Sequence, residues 1–311
     1  MIMHRSDQTL AIRALRSAAP YIRMYKGKTF VVKAGGGVFA DPTATRVLVE
    51  QIAILHYFGV RVVLVHGGGP QLTELATALG VPTRMVEGRR VTDQKSIDVT
   101  AMVLSGLINT RILSICRQLN IDAVGVSGVD AGLIRAHRRS PVKQEDGSTV
   151  DYGFVGDIVG VDTNVLSKLL DNGLMPVVSP LSADENGTLL NINADTVAAA
   201  IGASLGAEKL ILCTGAPGIL ERVDDAGSLI SYTDLKGLKR LKDEKRIVEG
   251  MLPKARAIEE AIRGGVRRVH VVSYKSPEGI LGEVFTNEGT GTLIVSDVNA
   301  IPANEQQVSG R

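Results

Sequence analysis

Charge imbalance is nearly absent: 35 Lys and Arg against 33 Asp and Glu leave a formal net charge of +2 across 311 residues. That balance argues against bulk binding to nucleic acid or a membrane surface, where a clustered basic face is expected. Cysteine is equally scarce. Cys116 and Cys213 lie far apart and form no CxxC pair. This excludes a cysteine-rich zinc module, fits a reducing compartment, and leaves both thiols as small core hydrophobes. No apolar run reaches the roughly 20 residues that span a bilayer. The N-terminal MIMHRSDQ leads into no signal-peptide apolar stretch, so a cytoplasmic protein is expected. There is no fixed-period repeat and no GxxxxGK[ST] loop. No dense cluster of carboxylates offers a cage for a divalent ion, and no protein metal site is expected.

What is present is ordinary in bulk and specific in detail. Apolar residues make up 44% and charged residues 22% of the chain, as in soluble globular proteins. The length suits one large α/β domain or two lobes and needs no disulfide staples. TFVVKA, RVVLVH, DAVGVS, MPVVSP, KLILCT and RVHVVS read as strands buried on both faces. Helical spacing appears around 44–58, 70–79, 94–119, 163–172, 195–205 and 252–263. The alternation predicts an α/β fold, a three-layer αβα sandwich around an open, mostly parallel sheet. An N-terminal amphipathic helix is expected over 8–24, kinked or split at Pro20. Residues 138–152 read as an exposed hairpin or loop, and ADENGT at 183–188 as a hairpin turn. The division expected is an N-terminal helix (1–25), a first lobe (26–206), a second lobe (207–295) and a flexible tail (296–311).

Five segments carry candidate chemistry. In VVKAGGG, Lys33 ends a strand before Gly35, Gly36 and Gly37. Consecutive glycines let backbone N–H groups approach an anion, and a lysine adds a mobile charge. A tight strand-to-helix turn with a solvated lysine would look the same. VLVHGGGPQ places Gly68 and Gly69 between a strand and a helix that opens with Pro70, a natural anion site at the carboxyl edge of a sheet. His66 beside them reads as a structural hydrogen-bonding residue. EGRRVTD offers Arg89 and Arg90, either a surface pair or a carboxylate clamp. NINADTVAAA places Asn191 and Asn193 on one strand face and Asp195 at a helix start, as an N-cap or as an anchor for ammonium groups. EGMLPKA puts Lys254 in the first turn of a helix, where the dipole opposes a cation and an anionic ligand would relieve the conflict. Together these suit a carboxylate acceptor and a polyphosphate donor, because phosphoryl transfer needs positive charge and positioning more than a base.

In order and spacing, HGGGP, RRVTD, GFVGDI, NINADTVAAAI and GMLPKA resemble the N-acetylglutamate kinases of the amino acid kinase family, from about Tyr21 to Val295. The resemblance implies an amino acid kinase-like αβα fold and an ATP-dependent transfer, with Mg²⁺ on the phosphates, to the side-chain carboxylate of N-acetyl-L-glutamate, as in arginine biosynthesis. It implies catalytic Lys33, Lys254 and Asp195, with Asp195 organising both lysines. Gly68, Gly69, Arg90 and Asn191 would bind the acyl-amino acid. Gly36, Gly215, Gly218 and Leu220 would serve the nucleotide. It further implies a homo-oligomer, a dimer core extended to a hexamer by the N-terminal helix, and an arginine effector site at His270, Glu283, Gly289 and Gly291.

Three departures from the family pattern stand out. Gly215 replaces a usual aspartate, Ala34 and Gly37 replace larger residues, and Ser273, Tyr274 and Lys275 replace a DGR run expected to form part of the effector pocket. Other acceptors, such as an aminoadipate derivative, carbamate, glutamate or a nucleotide, fit the same pattern. A non-catalytic amino acid sensor retaining the fold also fits; Gly215 favours it, while Lys33, Asp195 and Lys254 oppose it.

Overall fold

The computed structural model describes residues 5–86, 89–144, 146–222, 224–247 and 249–298. Helix α1 (Arg5–Tyr25) precedes β1 (Thr29–Ala34), α2 (Pro42–Tyr57), β2 (Arg61–His66), α3 (Gly69–Ala78) and the ribbon β3 (Arg84–Val86)–β4 (Arg89–Val91). Helix α4 (Gln94–Ala101) runs through a π-helical segment, Met102–Ile108, into α5 (Asn109–Gln118). Next come β5 (Ala123–Ser127), β6 (Ile134–Arg138), β7 (Val142–Lys143), β8 (Thr149–Val150), β9 (Gly156–Val161), α6 (Asn164–Asp171), β10 (Met175–Ser179), β11 (Leu181–Ala183), β12 (Leu189–Asn191) and α7 (Ala194–Ser204). The remainder is β13 (Lys209–Thr214), β14 (Tyr232–Asp234), α8 (Leu235–Asp243), α9 (Leu252–Arg263), β15 (Arg268–Ser273), α10 (Gly279–Phe285) and β16 (Thr292–Val295).

Eight strands form one sheet in the order β14-β16-β15-β13-β1-β2-β10-β5. Only the β15–β16 pair is antiparallel. All six apolar runs read as buried strands lie in it. Five of them alternate buried side chains between two cores, because successive residues point to opposite faces; β5, at the sheet edge, is only partly covered, against the expected burial. On β1, Phe30, Val32 and Ala34 enter the core beneath α2, α3 and α5. Val31 enters the opposite core beneath α7, α8 and α9. Lys33 follows Val31 by two residues, so the same period aims it at the α7 and α9 side.

The helices form where their spacing indicated. In α2, Leu48, Val49, Ile52 and Leu55 are buried at helical intervals. Asp41 caps its start, accepting from Thr43 N at 2.8 Å, with Pro42 in the first turn. Helix α1 is continuous through Pro20, one helix rather than the two-part alternative. From Thr9 to Ser17 it is exposed, including Leu10, Ile12 and Leu15. The stretch Gln94–Gln118 is long and apolar enough to cross a membrane. Its Val99, Val103, Leu104, Ile108 and Ile112 fill a core cluster.

The segment 138–152 contains the hairpin β7–β8, and the NG turn joins β11 to β12. Both cysteines are buried, and burial pushes their thiols up to about 11 for Cys116 and about 12 for Cys213. The tail beyond 298 lies outside the described residues.

Candidate active site

A cavity of about 410 Å³ opens at the carboxyl ends of β1 and β2. Its walls include Lys33, Gly36, Gly68, Gly69, Arg90, Asn191 and Asp195. The structure thus gathers residues separated by more than a hundred positions. Lys254 joins them from the first turn of α9.

Asp195 is the centre. It is 5% exposed, with Lys33 Nζ 2.8 Å from Oδ1 and Lys254 donating to Oδ2 at 2.9 Å. Oδ1 has no hydrogen bond of acceptable geometry, so the Lys33 contact is a charge contact rather than a directed bond. Burial opposes ionisation of Asp195, but the two lysines outweigh it and hold its carboxyl below the usual range. Burial lowers Lys33 from the ordinary lysine range; Asp195 opposes that shift and Lys254 reinforces it. Two lysines therefore converge on one carboxylate, and of the two Lys33 lines the cavity.

Asp195 is free for this because it does not cap its helix. Asn193 does, accepting from Asp195 N at 2.8 Å and Thr196 N at 3.2 Å. The N-cap expectation therefore shifts two residues upstream. Asn191 ends β12 and its amide reaches Thr92 Oγ1 at 3.4 Å.

The glycines sit where backbones meet. A Cβ on Gly36 would come within 2.9 Å of Gly68 Cα and 2.7 Å of the Pro70 ring. A Cβ on Gly68 would strike Ile108 at 2.5 Å and Leu104 at 2.7 Å, both from the π-helical segment. The two glycine-rich turns are thus pressed together. Gln71 Nε2 locks them by donating to Gly36 O at 2.8 Å. His66 is fully buried and held down to about 4 by that burial, hydrogen-bonded to Asn109 at 3.2 Å. A neutral imidazole in that setting is structural.

Arg90 lines the cavity, but both its Nη atoms are already engaged. They donate to Thr83 Oγ1 at 2.9 Å and Thr73 Oγ1 at 2.7 Å. Arg89, Arg139, Asp157, Arg256 and Glu260 line it too and were not singled out as site residues, apart from Arg89. Arg139 Nε donates to Asp157 Oδ1 at 3.0 Å. GFVGDI contains Asp157, which was the one available signal for this pair.

Of the residues assigned to the nucleotide, Gly36 lines this cavity, whereas Gly215, Gly218 and Leu220 do not. Gly215 is exposed after β13, whereas Gly218 is buried against Leu229 and Thr292. Leu220 pairs with Leu229. His270, Glu283, Gly289 and Gly291 line a different cavity of about 140 Å³, shared with Tyr21 of α1 and Lys209. There Lys209 Nζ contacts His270 Nε2 at 2.9 Å, and His270 Nδ1 meets Glu283 Oε1 at 2.7 Å. An ammonium only donates, so Nε2 accepts and the Nδ1 proton faces the carboxylate. Glu283 Oε2 accepts from Thr290 N and Gly291 N. Ser273, Tyr274 and Lys275 do not line this cavity. Their departure from the family pattern removes nothing from it; β15 carries them to the opposite end of the strand from the cavity.

With this geometry in place, comparison with known proteins is informative. Residues 28–273 match the amino acid kinase family model. The chain belongs to the amino acid kinase family. It is 46% identical over 295 residues to the acetylglutamate kinase of Myxococcus xanthus, covering 93% of this chain and 96% of that protein. Against the acetylglutamate kinase of Symbiobacterium thermophilum, identity is 43%, covering 90% of this chain and 96% of the relative. Among solved structures, N-acetylglutamate synthase from Neisseria gonorrhoeae, complexed with coenzyme A and N-acetyl-glutamate, superposes with a TM-score of 0.80 at 28% identity. That match covers 92% of this chain but 64% of the synthase chain.

Proposed function

We propose that this protein transfers the γ-phosphoryl group of ATP to the side-chain carboxylate of N-acetyl-L-glutamate, forming an acyl phosphate. The observation that carries the reading is the Lys33–Asp195–Lys254 cluster at the wall of a glycine-lined cavity, in a chain whose relatives are acetylglutamate kinases. The acceptor carboxylate is ionised at neutral pH and attacks without a general base. Lys33 and Lys254 stabilise charge that builds on the transferring group, and Asp195 fixes both ammonium groups beforehand. Gly68, Gly69, Asn191 and Arg90 hold the acceptor. Arg90 keeps N–H donors beyond those given to Thr83, Thr73 and Gly69 O, and these are the ones offered to a carboxylate.

Gly36 and the turn Gly215–Leu220 serve the nucleotide. Among the described residues no group of three or more His, Cys, Asp or Glu could hold a metal. The residues present suit a Mg²⁺ carried by the phosphates and water, which would neutralise phosphate charge. Residues 26–206 act as the acceptor lobe and 207–295 as the nucleotide lobe. The exposed Leu10, Ile12 and Leu15 on α1 join protomers into a homo-oligomer. The cavity at His270 and Glu283 binds an effector, with α1 as one wall. The protein works in the cytoplasm.

The test is a hydroxylamine trap with purified protein, MgATP and a panel of acyl-amino acids, glutamate and carbamate. Hydroxamate formed from N-acetyl-L-glutamate supports the reading. Turnover of another acceptor in its place moves the substrate, and no turnover of any acceptor favours a sensor.

A further inference from the structure

Tyr274 stands where the turns after three parallel neighbours, β1, β13 and β15, meet. Its N–H donates to Thr214 O at 2.9 Å, fixing it beside the end of β13. Its hydroxyl lies 2.8 Å from the position a Cβ on Gly37 would take, and 3.5 Å from that of a Cβ on Gly215. The phenol therefore reaches into the space a side chain at Gly37 would take and lies at ordinary contact distance from a Cβ on Gly215. Departures at Gly37, Gly215 and Tyr274 thus lie next to one another in space.

The hydroxyl has no hydrogen-bond partner among the described residues. The backbone N–H groups of Gly36 and Gly37 beside it donate to no backbone carbonyl among those residues. Donors grouped at the carboxyl edge of an open parallel sheet, just beyond Lys33, are suited to an anion. A tyrosine hydroxyl adds a donor of fixed reach.

We propose that Tyr274 is a nucleotide-binding residue whose hydroxyl, with the N–H groups of Gly36 and Gly37, donates to the polyphosphate of the bound nucleotide. This rests on the kinase reading above and assigns a residue to its donor site. The ring itself is anchored by packing against the α2–α10 core, so the hydroxyl can be removed without loss of the fold.

The experiment is calorimetric titration of Tyr274→Phe with MgATP and, separately, adenosine, without acceptor, alongside steady-state kinetics. Loss of one hydrogen bond to a charged group corresponds to about a tenfold weakening. MgATP affinity should fall about tenfold, while adenosine affinity and the KM for the acceptor stay at wild-type values. Gly37→Ala provides the second variant. Its new methyl displaces the hydroxyl, so it should weaken MgATP in the wild-type background and have little further effect in Tyr274→Phe. MgATP binding within twofold of wild type in Tyr274→Phe overturns the proposal. So does an equal loss for adenosine, which would place the ring against the base. Wild-type protein that binds MgATP but phosphorylates no acceptor would sink the kinase reading and leave this assignment standing.

Discussion

Replacing Asp195 with asparagine removes the charge that holds two buried lysines together. The side chain keeps its size, but Lys33 Nζ and Lys254 Nζ, now 2.8 and 2.9 Å from the carboxylate, lose their counter-ion and face each other. Deleting one partner of a buried pair costs roughly 3–5 kcal/mol. Lys254 is only partly buried, which places the cost near the lower end. At about 2–4 °C per kcal/mol, Tm should fall by roughly 6–12 °C. With both ammonium groups misplaced, kcat should drop about 100- to 1000-fold.

The pH dependence gives a second signature. Asp195 raises Lys33 against the lowering by burial, so in Asp195→Asn the lysine loses its proton at lower pH than in wild type. Between that value and the ordinary lysine range, the unfolded chain binds a proton that the native state does not. Stability of the variant therefore rises with pH through this window. Activity moves the other way, because the uncharged amine no longer stabilises the transferring group. Thermal melts and initial rates across a pH series check both. A variant that melts with wild type and keeps wild-type kcat would refute the central role given to Asp195.

His270 is held at about 4 by burial and Lys209, so the fold should lose stability as pH falls from the ordinary imidazole value toward 4. Burial opposes ionisation of Glu283, yet its hydrogen bonds keep it near 2, so a second loss should follow as pH falls through the usual carboxylate range. His270→Gln should remove the first limb and reduce the second, because His270 is the largest influence lowering Glu283 and the Thr290 and Gly291 N–H bonds are what remains; circular dichroism reads both. Gly68→Ala drives a methyl into Leu104 and Ile108; it should cost about 1–3 kcal/mol in urea denaturation and raise the acceptor KM. Deleting residues 1–25 should reduce the oligomer to a smaller, active form in sedimentation velocity; an unchanged assembly would remove α1 from the interface.

Local signals made the sheet legible. The six apolar runs are long enough to be buried on both faces, and period-two alternation predicts Lys33 on the opposite face from Ala34. The edge strand β14, its neighbour β16 and helix α10 were not legible, since segments of three, four and seven residues carry little measurable period. Within the site, residue types and turns indicated Lys33, the glycine turns and Lys254. The partner of each was less accessible. Nothing local distinguishes Asn193 from Asp195 as the cap; the difference appears only once two lysines from distant segments converge on Asp195. Arg139 and Asp157 meet across the β6–β9 ribbon, a register that sequence spacing does not specify. Tyr274 reaches the space a side chain at Gly37 would fill, a contact between residues far apart in sequence.

The most direct test of the phosphoryl-transfer cluster is single-turnover hydroxamate formation from N-acetyl-L-glutamate by Lys254→Met. The account predicts a folded protein that binds the acceptor as wild type does and forms product about a hundredfold or more slower. A folded Lys254→Met protein that turns over at close to the wild-type rate would contradict it.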